Sequence, residues 1–369
     1  MKDFKFDVVI DEPDMCDREA EKRRLIALME KRGRMVIYSL RRMGKTSLAA
    51  VCGKKFKTLH PDAFVLSVDL NEVSSLAAVA ERFRSHYEAA LREHFPVQNA
   101  KMRVGSLLSR IKIGLPGGAT LAIEKYVTEN PEDYLISFFG ELNKMSEERR
   151  LVLIIDEFQG IAELKTAQAV LRREFQRLSK AAVVLMGSNQ RLLYRMLNDK
   201  KLPFFGFGED MELGAIPVAD YLPYMNERFA KSDLHISEGA ARRLMIGAND
   251  IPNYINELGA WIVDNFSGLD LTADHVDIAL ESAAKSKHGR YESVLYGYTL
   301  HQKRFLRAIA KLERGVPPTG KEMQSETGLS PAELVRVRDA LEDCPLLSRD
   351  TSNRLFLIDP FLKRFLEMT

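Results

Sequence analysis

The stretch Met35-Val36-Ile37-Tyr38-Ser39-Leu40-Arg41-Arg42-Met43-Gly44-Lys45-Thr46-Ser47-Leu48-Ala49-Ala50 decides how this chain is read. Its first four residues form a short apolar run, the pattern of a buried strand. A polar turn follows, and then an alanine-rich segment that favours helix. Gly-Lys-Thr at a strand-to-helix turn is the core of a phosphate-binding loop. In such a loop the backbone N–H groups and the helix N-terminus form a nest of partial positive charge. One position departs from the usual pattern, because Ser39 stands where the first glycine is expected. A small serine fits there if its backbone keeps an ordinary conformation.

A second stretch completes the reading. Leu151-Val152-Leu153-Ile154-Ile155 precedes Asp156-Glu157-Phe158-Gln159. An unbroken aliphatic run fits a central parallel strand buried on both faces. Carboxylates at the C-terminal end of such a strand sit where open α/β sheets bind ligands. Lys45 is expected to reach the β- and γ-phosphates of ATP, and Thr46 and Asp156 to hold Mg²⁺; ATP or ADP with Mg²⁺ is the expected cofactor. Glu157 is the candidate catalytic base for an attacking water. Arg41, Arg42, Met43, Gly44 and Ser47 complete the expected nucleotide loop. The fold class is therefore α/β, a P-loop NTPase of the ASCE type with a parallel sheet flanked by helices.

Composition is ordinary for a globular protein. The chain has 369 residues, 46% hydrophobic and 29% charged, with a formal net charge of +2. That length allows two or three domains. The near-neutral charge gives no global reason for nucleic-acid binding. Cys16, Cys52 and Cys344 lie far apart, so reduced thiols in a cytoplasmic protein are expected rather than disulfides. The histidines show no metal-ligand spacing. No apolar run is long enough to span a membrane, and the N-terminus is too polar for a signal peptide.

Along the chain, Asp17 is the expected N-cap of a helix whose apolar face carries Leu25, Ile26, Leu28 and Met29. Residues 63–69 read as a second core strand and 73–95 as a long helix. Alternation on either side of Pro116-Gly117-Gly118 predicts a β-hairpin insertion at about 101–126. Ala181 to Met186 reads as a further strand ending in Gly187-Ser188-Asn189. A polar residue at that tip can address the water or the γ-phosphate. Asn189 is the first choice and Ser188 the second, against the simpler reading of a helix cap.

The expected core domain covers 1–217. A helical lid is expected over 218–287 and a winged helix-turn-helix over 288–369. Pro252 opens one lid helix. Thr319-Gly320-Lys321-Glu322 and Ser330-Pro331-Ala332-Glu333 both read as capping boxes, with Gly328 between their helices. The second helix carries Arg336 and Arg338, yet residues 291–369 hold 12 Lys/Arg against 11 Asp/Glu. A phosphate-binding face normally shows a clear basic excess. DNA contact through the winged helix is therefore an alternative rather than the main reading.

Taken together these residues resemble archaeal-type P-loop ATPases of the STAND class, relatives of AAA+ and origin-recognition ATPases. Cys16-Asp17-Arg18-Glu19-Ala20-Glu21 is similar to the family's G-R-E-x-E box, with Asp17 in the glycine position. Arg41 to Leu48 resembles its R-R-x-G-K-T-S-L loop, and Asp156 to Gln159 its D-E-F-Q strand end. Gly187-Ser188 falls at its G-S strand tip. Gly247 to Tyr254 resembles the lid's G-G-x-P-x-Y element, and Leu357 to Phe361 the winged-helix ending. The resemblance implies that Pro252 contacts the adenine side and that the lid senses nucleotide state. The family's Gly-Arg before the last strand is absent from Leu202-Pro203-Phe204-Phe205-Gly206-Phe207-Gly208. That absence implies slow hydrolysis or an arginine from elsewhere.

Three functions follow as expectations. The first is a nucleotide-dependent conformational switch with slow Mg-dependent ATPase activity, joined to a protein partner or to itself. The second is a DNA-associated ATPase, and the third a non-hydrolysing, nucleotide-stabilised adaptor. A P-loop kinase is weaker, because paired Asp156 and Glu157 suit water activation better.

Overall fold

The computed structural model describes residues 4–95, 119–312, 316–342, 344–349 and 354–369. The chain divides into two compact units, Val9–Gly214 and Met1–Val8 with Ala215–Thr369. The first unit ends three residues before the expected boundary at 217, and the chain's first eight residues belong to the second unit.

In the first unit, strands β1 (Arg34–Tyr38), β2 (Phe64–Asp69), β3 (Leu151–Asp156), β4 (Ala181–Gly187) and β5 (Glu209–Glu212) form one sheet in the order β2-β3-β4-β1-β5. Every pairing is parallel. Helices α1 (Glu19–Glu30) and α2 (Lys45–Leu59) come before β2. Then follow α3 (Leu76–His94), α4 (Ala119–Glu129), α5 (Pro131–Glu148), α6 (Lys165–Arg177) and α7 (Gln190–Asn198).

Alternate residues of one strand enter different cores. Leu151, Leu153 and Ile155 pack with Phe83 of α3, Phe138 of α5 and Phe175 of α6. Val152 and Ile154 pack with Leu25 of α1 and Leu48 and Phe56 of α2. Burying both faces is what an unbroken aliphatic strand requires. Each such side chain contributes about 1.5–3 kcal/mol relative to exposure.

Parallel pairing sends the chain off the same sheet edge after Tyr38, Asp156 and Gly187. Tyr38 lies beside Gly187, and Ile155 beside Leu185, so β4 separates the loop strand from the acidic strand. That interposed strand is the ASCE arrangement expected from the sequence. It brings three loops together at one edge, where open sheets bind ligands.

Three local expectations are corrected. Ala119 to Glu124, expected as the second strand of a hairpin, lies in helix α4; residues 101–118 fall outside the described residues. Alternation over so few positions does not exclude a helix, and Ala119, Ala122, Glu124 and Lys125 are helix formers. Asp17 does not cap α1. Arg18 is the N-cap, without a side-chain cap bond, and both residues have positive φ, 54° and 73°. Asp17 thus takes the left-handed conformation that glycine favours, while the Arg18 guanidinium donates to Gly214 O at 2.6 Å. Thr319 does not cap the helix that begins at Lys321, because Gly320 holds that position.

The second unit contains α8 (Val218–Ala230), α9 (Glu238–Gly247), α10 (Pro252–Asn265) and α11 (Ala273–Ser286). A parallel pair, β6 (Leu234–Ile236) and β7 (Leu269–Leu271), joins them. Strands this short gave no periodic signal. Next come α12 (His288–Tyr296), α13 (Leu300–Lys311), α14 (Lys321–Thr327) and α15 (Pro331–Ala340), then the antiparallel pair β8 (Leu347–Arg349) and β9 (Leu355–Leu357), and α16 (Pro360–Met368).

Local rules set these helix ends. Ser237 caps α9, and Thr272, Thr299 and Ser330 form reciprocal capping boxes with His275, Gln302 and Glu333. Gly328 ends α14 at φ +68°. Phe4 is buried against Phe229, ring centres 4.8 Å apart, and would strike a Cβ at Gly259. Residues expected to separate at 287/288 lie in the same unit, where Arg364 of α16 pairs with Glu281 of α11 at 3.0 Å. Among the described residues no helix is long and apolar enough to cross a membrane.

Candidate nucleotide site

The loop between β1 and α2 turns through two left-handed residues, Arg42 (φ +69°) and Gly44 (φ +93°). A Cβ at Gly44 would meet nothing within 4 Å, so glycine serves the backbone angle and not a close approach. Ser39 is absent from the positive-φ residues, which explains why serine is tolerated in place of glycine. Its hydroxyl also has a partner: Lys45 Nζ donates to Ser39 Oγ at 3.1 Å and to Leu40 O at 3.2 Å.

Lys45 is only 5% exposed. Its contacts are neutral oxygens, and among the described residues no carboxylate forms an ion pair with it. Burial lowers its pKa, against opposing attraction from Glu157 and Asp156. A buried ammonium on neutral acceptors is an anion site in waiting. The first N–H groups of α2, which begins at Lys45, face the same loop.

The acidic strand end meets this loop. Thr46 Oγ1 donates to Asp156 Oδ2 at 2.6 Å, across 110 positions of sequence. Asp156 Oδ1 accepts from the Glu157 N–H at 2.9 Å. Burial is the largest influence on Asp156 and raises its pKa; the Thr46 and Glu157 hydrogen bonds pull the other way. Glu157 itself sits at φ 49°, an uncommon conformation for a residue with a Cβ and one that collects at functional sites. Its Oε2 accepts from Ser188 Oγ at 2.7 Å and from Gln159 Nε2.

Of the expected site residues, Lys45, Thr46, Asp156 and Glu157 therefore come together at one sheet edge. Asn189 does not join Glu157: its Oδ1 accepts from the Leu192 N–H at 3.1 Å and caps α7. Ser188, the second choice, supplies the polar group at the β4 tip. Ser47 Oγ accepts from the Ile10 N–H at 3.2 Å and anchors the segment before α1. Met43 is buried, Arg42 half-buried and Arg41 exposed. Pro252 opens α10 in the second unit. Sequence reasoning missed Gln159 as a contact of Glu157 and Ser39 as a contact of Lys45. Both depend on side-chain direction at turns, which no periodicity reports.

The donor set fits a nucleotide phosphate with a hard cation. Among the described residues a buried cation has no direct ion pair, a hydroxyl and a carboxylate oxygen lie together, and nothing stands within 4 Å of where a Gly44 Cβ would be.

No family model matches the chain, and no curated protein matches it. Solved structures do. A Walker-type ATPase of Pyrococcus abyssi is similar at 18% identity and TM-score 0.66, covering 99% of both chains. The Orc2 protein of Aeropyrum pernix is similar at 15% identity and TM-score 0.53, covering 99% of this chain and 96% of that one. The Orc1 protein of the same organism, solved in complex with DNA, is similar at 16% identity and TM-score 0.51, covering 96% of this chain and 93% of that one. The likeness is one of fold: a five-stranded parallel sheet flanked by helices, as in P-loop ATPases.

Proposed function

We propose that this protein binds ATP with Mg²⁺, hydrolyses it slowly, and uses the difference between the ATP and ADP states as a conformational switch. The observation that carries the reading is the Thr46–Asp156 bond at 2.6 Å beside a buried Lys45 whose hydrogen bonds go to neutral oxygens. Lys45 exchanges its Ser39 and Leu40 contacts for phosphate oxygens. The loop N–H groups from Arg41 to Thr46 hold the remaining phosphate charge. Thr46 and Asp156 would hold Mg²⁺, which when bound would neutralise charge on the phosphates. Glu157 accepts a proton from the water that attacks the γ-phosphorus, and ADP and inorganic phosphate leave. Ser188 keeps the Glu157 carboxylate in place. No arginine lies in Leu202–Gly208, which supports slow turnover or an arginine supplied from elsewhere.

Pro252 and the helices of 218–287 act as an adenine-side lid, and 288–369 acts as a winged helix that docks a protein partner or a second copy. Only a contact that differs between ATP and ADP can shift such an equilibrium. Phosphate release by the wild type and Glu157→Gln tests the enzyme reading. The variant should retain ATP binding and lose about 10²–10⁴-fold in turnover. Wild-type turnover in the variant would remove Glu157 as the base. No turnover in either protein, with ATP still bound, would favour the adaptor reading.

A second reading is DNA association through the winged helix, supported by the likeness to a protein solved with DNA. Against it, Arg338 is bonded to Asp339 at 2.7 Å. DNA affinity that falls steeply with salt would support it, and no shift at low salt, with or without ATP, would dismiss it.

A further inference from the structure

Gln159 is a polar residue that the reaction as described does not use, yet its surroundings hold it in place. It lies in the 3₁₀ turn Phe158–Ile161 that follows Glu157. Phe158 is fully buried, its ring 4.8 Å from that of Phe204. Gly160 passes so close to the end of β2 that an added Cβ would stand 2.1 Å from Leu70 O. The residues on both sides of Gln159 are thus fixed by packing. Its side chain turns back to Glu157, with Nε2 donating to Glu157 Oε2 and lying 3.4 Å from Ser188 Oγ. An ionised carboxylate only accepts, so the amide nitrogen must face it.

Two further features separate this from incidental packing. Gln159 Oε1 is buried and, among the described residues, has no hydrogen-bond partner. A glutamine serving only to fill space would turn that oxygen to water, because an unpaired buried acceptor is unfavourable. The β4 tip also leaves room for it: a Cβ on Gly187 would lie 2.3 Å from Oε1. Ser188 and Gln159 thus converge on one carboxylate oxygen of a residue already held in a left-handed conformation, and Gly187 leaves the space that the Gln159 amide occupies.

We propose that Gln159 is a positioning residue for Glu157: with Ser188 it fixes one carboxylate oxygen so that the other faces the attacking water. The proposal rests on the reading of Glu157 as the base. Gly187 is then required for its lack of a Cβ.

The test compares wild type, Gln159→Leu, Gln159→Glu, Gly187→Ala and Glu157→Gln in the full chain. Phosphate release, binding of a fluorescent ATP analogue, nucleotide retained after purification and melting temperature are read for each. Gln159→Leu should lower kcat about 10–100-fold, with affinity within about twofold of wild type. It should also copurify with more ATP than ADP, as Glu157→Gln should. Gln159→Glu, of the same size but without the donor, should match or exceed that loss at an unchanged melting temperature. It keeps the proposal testable if the leucine variant does not fold. Gly187→Ala should reproduce the loss without touching Gln159 chemically. Adding Gln159→Leu to Glu157→Gln should cost nothing more, because residues acting as a unit are not additive. Turnover within twofold of wild type in Gln159→Leu or Gln159→Glu, with Glu157→Gln inactive, overturns the role of Gln159 and leaves the base standing. Wild-type turnover in Glu157→Gln overturns both.

Discussion

Two left-handed glycines, Gly44 and Gly328, share a backbone conformation and an open Cβ position but sit in opposite settings. Each has positive φ, +93° and +68°, with nothing within 4 Å of an added Cβ. Gly328 ends α14 and is followed by Ser330, whose reciprocal box with Glu333 starts α15. Every polar group in that box is satisfied by a neighbour a few residues away. Gly44 opens α2 without a side-chain cap, beside a buried lysine on neutral oxygens and a carboxylate reached from 110 positions away. The helix turn meets local rules and the sheet edge breaks several at once. Broken rules that persist in a packed structure mark function, because the surrounding fold must sustain them.

Neutralising charge should separate the two regions most. Asp156→Asn should weaken Mg-dependent ATP binding about 30-fold or more, since removing one member of a buried charged set costs about 2–5 kcal/mol. Asp339→Asn, at an exposed pair on α15, should change stability by less than about 0.5 kcal/mol. Titration calorimetry with and without Mg²⁺ and chemical unfolding would measure the pair; equal effects would erase the distinction.

The glycines come next. Gly44→Ala and Gly328→Ala should each lose about 1–2 kcal/mol of stability, because alanine is strained in the left-handed region. Only Gly44→Ala should also weaken ATP binding. An affinity change in Gly328→Ala would show that the C-terminal turn is coupled to the nucleotide.

Smaller effects sharpen the assignment at the β4 tip. Asn189→Ala and Ser330→Ala should each cost about 1 kcal/mol as lost caps, with turnover unchanged. Ser188→Ala should lower turnover instead, with little change in melting temperature. If Asn189→Ala slows turnover while Ser188→Ala does not, the two residues have been assigned the wrong way round. Least visible is Cys52, whose thiol burial pushes up to about 12. It should resist alkylation at pH 8 in the folded protein and react after denaturation, as intact-mass measurement would report.

Much of the sheet edge was legible because its signals are local. The aliphatic run 151–155 required a strand buried on both faces, and Gly-Lys-Thr after 35–38 required a strand-to-helix turn. Strand order agrees with the ASCE type expected from the two motifs together, with β4 between the loop strand and the acidic strand. Helix 119–129 was misread because six alternating residues satisfy a strand while the helical period needs more. Asn189 and Ser188 differ by one position, and only side-chain geometry tells the helix cap from the hydroxyl bonded to Glu157. Gln159 was invisible because its role comes from packing at Phe158 and Gly160, two contacts distant in sequence from each other's partners.

The central claim is that Lys45 holds a nucleotide phosphate at the edge where Thr46 meets Asp156. Calorimetric titration of ATP with Mg²⁺ into nucleotide-free wild type and Lys45→Ala tests it most directly. The account predicts one saturable site per chain in the wild type and a loss of about 30-fold or more in the variant, with an unchanged melting temperature in the absence of nucleotide. Equal affinity in the two proteins, or no binding by a folded wild type, would contradict it.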